Sequence, residues 1–134
     1  MQKEYKINQV NPSKGALDFS YLLDAPAGKH GFVQAKNGHL YYEDGTRARF
    51  LGFNMATRSN AVNHELAEKL AGRFASLGVN VIRLHAADAP IGEQERSWSS
   101  CKEAPLLDYE KGTSRFFHPE GLDRFDYFVA KLKE

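Results

Sequence analysis

Cysteine is nearly absent from this sequence: Cys101 stands alone in 134 residues. One thiol excludes an internal disulfide and a metal cluster built from cysteines. No stretch approaches the roughly 18 apolar residues of a membrane span. An excess of one charge is missing too. Lysine and arginine number 18, aspartate and glutamate 17, interspersed to a formal charge of +1. That balance leaves no basic face for nucleic acid and no acidic tail. The polar Met1–Lys14 has no apolar h-region, so no signal peptide is expected in it. The compartment stays open: secreted or periplasmic if a leader was removed, otherwise cytoplasmic. The five histidines, at positions 30, 39, 64, 85 and 118, are dispersed without a short-spaced ligand pair, so no metal site is expected. Without GxGxxG, Walker or GxSxG motifs, neither a nucleotide cofactor nor serine-hydrolase chemistry has a carrier.

What is present is a pattern of strands and helices. Residues 1–15 read as an N-terminal arm and 16–48 as an antiparallel hairpin segment, with 16–23 extended. Phe32–Lys36 and His39–Glu43 flank Asn37-Gly38, a pair suited to the two positive φ angles of a tight hairpin. Asp44-Gly45 predicts a second hairpin leading into Arg47–Phe53. Arg49–Asn54 should be the first core strand, with Gly52 permitting close approach and Asn54 at its end. Asn63 is a candidate N-cap for a helix whose apolar stripe is Leu66, Ala67, Leu70, Ala71, Phe74 and Leu77. Gly78 should end that helix. Val79, Val81, Ile82 and Leu84 then form an apolar run that predicts a parallel strand covered on both faces. A long irregular loop spans 86–118. A final helix starts at Pro119, with Leu122, Phe125, Phe128, Val129 and Leu132 on its apolar face.

The order β, α, β, α predicts an α/β fold, with 49–134 forming two βα units. Two parallel strands cannot cover two apolar helix faces and be covered themselves, so a larger parallel sheet or barrel is expected.

The chemistry concentrates around Leu77–Pro90. Arg83 interrupts a buried strand, and a guanidinium there needs an anion or a route to water. It is either a rim arginine paired with a local carboxylate or a functional group. His85 shares its face only if the strand persists that far. Two roles are open for His85, a bond to neighbouring backbone or a contact with a ligand hydroxyl. Asn54 is likewise a loop cap or a ligand donor. Trp98 either packs the long loop, with Phe116 and Phe117, or offers its face to a sugar ring. The loop carboxylates Asp88, Glu93, Glu95, Asp108 and Glu110 have no spacing that fixes a catalytic pair.

Four segments in order, Leu22–Phe32, Asn37–Asn54, Leu77–His85 and Leu122–Phe128, resemble the beginning of cellulase-like glycoside hydrolases. These are TIM-barrel enzymes of the retaining clan that includes family 5. The resemblance implies the N-terminal part of a (β/α)8 TIM barrel, preceded by a small antiparallel hairpin unit. It implies a site at the strand ends, lined by Asn54, Arg83, His85 and possible loop contacts such as Trp98. Arg83 matches an arginine that helps hold the nucleophilic carboxylate. The two catalytic carboxyl groups of such enzymes, about 5–5.5 Å apart, stand on later strands. No catalytic carboxylate is therefore expected in this chain. The implied partners are an oligo- or polysaccharide substrate and the remainder of the barrel or a second chain. A noncatalytic carbohydrate-binding or barrel-assembly module, with Trp98, Tyr41 and Tyr42 as contact surface, is the alternative.

Overall fold

A computed structural model of the chain describes residue 15, residues 17–89 and residues 105–134. Trp98, Glu93, Glu95 and most of the N-terminal arm lie outside the described residues. The fold is mixed α/β, with one antiparallel and one parallel two-stranded sheet.

The antiparallel sheet is a hairpin of β1 (Gln34–Lys36) and β2 (His39–Tyr41), with Gln34 opposite Tyr41 and Lys36 opposite His39. Asn37 and Gly38 between them take φ of 51° and 74°, the left-handed pair expected of a two-residue turn. Both strands are shorter than the expected Phe32–Lys36 and His39–Glu43. The second hairpin shrinks to a turn and a single bridge, Tyr41 to Arg47. Its outgoing chain is diverted because Arg49–Leu51 bonds elsewhere. Asn80 Oδ1 accepts from the Leu51 amide at 2.8 Å, and its Nδ2 donates to the Arg49 carbonyl at 2.9 Å.

That side chain also explains where the first core strand begins. β3 is Gly52–Ala56, displaced from the expected Arg49–Asn54, because the Asn80 amide substitutes for a ladder partner below Gly52. β3 pairs in parallel with β4 (Val81–His85), joining Gly52 to Val81, Asn54 to Arg83 and Ala56 to His85. A Cβ on Gly52 would lie 2.6 Å from Val81 Cγ1, so the close approach expected there is present. β4 starts later than expected, since the Val79 amide is tied to the Phe74 carbonyl at 3.0 Å.

Between the strands runs α1 (His64–Ser76), capped by Asn63, whose side chain accepts from the Leu66 amide. The last element, α2 (Pro119–Lys133), has Pro119 in its first turn and the His118 ring as N-cap. Met55, Val62, Ala67, Phe74, Val79 and Phe128 form the buried cluster, with Leu66, Leu70, Ile82, Leu84 and Leu132 against it. Val129, expected on the apolar face of α2, is 39% exposed. The helices are also joined at their surface: the His64 and Tyr127 rings stack at 3.8 Å, and the Tyr127 hydroxyl donates to Glu68 at 2.6 Å.

The segment expected to be extended at 16–23 instead contains a 3-10 turn, Ser20–Leu22. Asp18 Oδ1 takes the Ser20 amide, a local bond that competes with extension, and the Phe19 amide is anchored to Ser76. No described helix is long and apolar enough to cross a membrane.

Candidate functional site

The parallel ribbon has two unlike faces. Phe53, Met55, Ile82 and Leu84 face the helices, and Phe53 lies 5.5 Å from the Phe74 ring. Alternation puts Gly52, Asn54, Ala56, Val81, Arg83 and His85 on the other side. Asn54, Val81, Arg83 and His85 there are all exposed. The expectation of a strand covered on both faces is therefore corrected. Val81 is 42% exposed, its β-branched side chain serving the strand rather than the core.

On this open face Arg83 Nη1 donates to Asn54 Oδ1 at 2.8 Å. Neither open reading anticipated that pairing. Arg83 does not pair with a carboxylate among the described residues, and Asn54 sits inside the strand rather than capping its end. An amide neutralises no charge, and the N–H donors that Asn54 does not use have no partner among the described residues. The strand persists through His85, which puts the imidazole on the same face as Arg83, two residues on. That ring makes no hydrogen bond to a described residue, while the His85 carbonyl is occupied.

The occupant of that carbonyl is Asn60, a residue the sequence pattern did not single out. Its Nδ2 donates to the His85 carbonyl at 3.0 Å and the Thr57 carbonyl at 2.8 Å. Asn60 is 1% exposed, and its Oδ1 is buried without a hydrogen-bond partner among the described residues. It thus ties together the two chain segments that leave β3 and β4. Each of those exits is bent: Thr57 and Ala86, the first residues past the strands, have φ of 49° and 48°. Positive φ is costly for a β-branched residue, and such backbone concentrates at functional sites. The only sequence signal for Asn60 was its place in the loop after a core strand.

The described parts of the long loop, 86–89 and 105–118, meet at this end. The Tyr109 hydroxyl donates to the Asp88 carbonyl, and partial burial, with the Asp88 carboxylate second, raises the phenol above its ordinary pKa. A bridge between Leu107 and Phe117 closes the stretch 106–118 on itself. Phe116 and Phe117, expected to pack this loop down, are 52% and 53% exposed. Asp108 is spent capping a short turn through the Glu110 amide. Among the described residues no group of three or more His, Cys, Asp or Glu side chains is arranged to hold a metal.

A second cluster lies on the hairpin unit. His30 Nδ1 bonds Asp44 at 2.7 Å and Nε2 bonds Asp24 at 2.5 Å. These carboxylates, Asp24 first, raise the imidazole pKa, while bonds from Lys29 and His30 lower that of Asp24. An imidazole donating from both nitrogens is an imidazolium.

No family model, no curated protein and no solved structure matches the chain.

Proposed function

We propose that the chain is the opening part of a retaining glycoside hydrolase acting on a β-linked glycan. In this reading β3 and β4 are the first two staves of a (β/α)8 barrel, and α1 and α2 belong to its outer ring. The exposed face of the ribbon becomes barrel interior, which accounts for polar side chains on strands that are otherwise apolar. The observation that carries the reading is the Asn54–Arg83 hydrogen bond on that face.

The bond holds one edge of the guanidinium, and its other donors have no partner among the described residues. A nucleophilic carboxylate brought to those donors is kept ionised and oriented by a charge-assisted pair. Asn54 is a positioning residue, fixing the fork without competing for its charge. His85 adds a ring nitrogen for a sugar hydroxyl. The nucleophile and acid/base, about 5–5.5 Å apart in retaining enzymes, come from outside these residues.

The test joins the chain to the remainder of its barrel and measures kcat/KM on an aryl β-glycoside. Arg83→Ala should lower it about 100-fold, the scale of losing a preorganised charged donor. Arg83→Lys keeps the charge but loses the planar fork, and should fall between. An Arg83→Ala value within a factor of two or so of the parent would refute the assignment.

A further inference from the structure

The hairpin unit carries a cleft of about 360 Å³, lined by Gln34, Lys36, Asn37, Tyr41, Tyr42, Glu43 and Gly45. Its walls are two turns. Asn37-Gly38 closes the hairpin, and the second turn is held by Tyr42 N–H to Thr46 at 2.9 Å and Gly45 N–H to Tyr42 at 3.0 Å. Gln34 and Tyr41 are cross-strand partners, so the amide and the phenol ring stand side by side on one face. Lys36, two residues from Gln34, shares that face.

The framework behind the cleft is braced. The Glu43 amide donates to the His30 carbonyl at 3.2 Å, and the His30 ring clamps Asp44 in the same turn. The Tyr42 ring lies 5.6 Å from the His30 ring and 6.3 Å, edge-on, from Phe50. The polar side chains on the cleft are not spent on one another. Gln34, Lys36, Asn37, Glu43 and both tyrosine hydroxyls make no side-chain hydrogen bond or ion pair among the described residues.

We infer that this cleft is a binding site for a neutral oligosaccharide, separate from the Asn54–Arg83 face. The size falls in the range of about 300–1,000 Å³ usual for small-molecule sites. One cation and one anion, Lys36 and Glu43, disfavour a ligand with net charge of either sign. The Tyr41 ring beside two amides, an ammonium and a carboxylate suits a molecule with an apolar face and a rim of hydroxyls, while the Tyr42 ring is committed to His30 and Phe50. The site needs neither Arg83 nor His85, so it stands or falls apart from the hydrolase reading.

The experiment is an amide-resolved NMR titration of the full chain with cellotetraose and, separately, maltotetraose, with glycerol as a control polyol. Saturable shifts centred on residues 34–45 with either tetrasaccharide, and none with glycerol, are the expected result. Gln34→Ala and Tyr41→Ala should each weaken binding about tenfold. Tyr41→Phe keeps the ring and should weaken it less than Tyr41→Ala. Arg83→Ala should leave the titration unchanged and so separates this site from the catalytic face. The inference is overturned by any of three results: no saturable shift with either sugar, the same shifts with glycerol, or shifts centred on β3 and β4. Unweakened binding by a folded Gln34→Ala chain would overturn it as well.

Discussion

The two faces of the β3–β4 ribbon divide ten residues between them and differ in what they present. Toward the helices, Met55 is buried and Ile82 and Leu84 are half-buried against α1 and α2. Away from them, Asn54, Arg83 and His85 face outward with one side-chain hydrogen bond among them. Apolar area removed from water, at about 25 cal/mol per Å², is what holds the first face in place. The second is exposed and carries the polar side chains Asn54, Arg83 and His85. In the proposed reading, the alternation of side chains divides each strand between stability and function.

The sharpest way to test that division is at its apolar extreme. Phe128→Ala removes a ring with 0% exposure from beneath the ribbon. It should cost about 3–5 kcal/mol in denaturant unfolding. Gly121→Val comes next. A Cβ there would fall 1.9 Å from the Pro105 carbonyl oxygen, so the first turn of α2 or the 105–107 segment has to move. About 1–3 kcal/mol is expected, read from the shift in the urea midpoint.

Asn60→Ala probes the seam between the faces. It removes two buried hydrogen bonds together with an unpaired carbonyl oxygen, so a loss of about 1–2 kcal/mol is expected. Faster amide exchange at residues 57 and 86 should accompany it. Arg83→Ala, on the open face, should change stability by only about 0.5 kcal/mol. A loss as large as that of Phe128→Ala would end the distinction between the faces.

The smallest effect is confined to the hairpin unit. His30 has a raised pKa, so its clamp on Asp24 and Asp44 is complete below the ordinary histidine value of about 6.5 and is lost as pH rises through the higher folded value. The two carboxylates have lowered pKa values, Asp44 chiefly through the Thr46 backbone amide. Their share is present above the ordinary value of about 3.9 and lost as pH falls through the depressed one. The clamp should therefore be tightest in mildly acidic solution. NMR shifts of Gly31 and Glu43 that titrate at the ordinary histidine pKa would contradict it.

Much of the local structure was legible in the chain. The Asn63 cap, the α1 stripe, Pro119 and the Asn37-Gly38 turn act over a few residues, and each stands where expected. The α/β character and a parallel pair followed from alternating patterns. Contacts between distant residues were less visible. Asn80 displaces the start of β3 by bonding a segment about 30 residues away, and no local pattern announces an asparagine in that role. Asn60 reaches His85 in the same manner. Val81 misled for another reason, because β-branched residues mark strands whether or not both faces are covered. Of the four candidate site residues, Asn54, Arg83 and His85 share one face, and Trp98 lies outside the described residues.

Each strand of the parallel ribbon has only one ladder partner among the described residues. The outer edges of β3 and β4 are thus two half-ladders, and hydrogen bonding along a strand edge is blind to side-chain identity. A concentrated stock brings such edges together. Dilution or an added edge-capping peptide should therefore slow its loss from solution, read by light scattering.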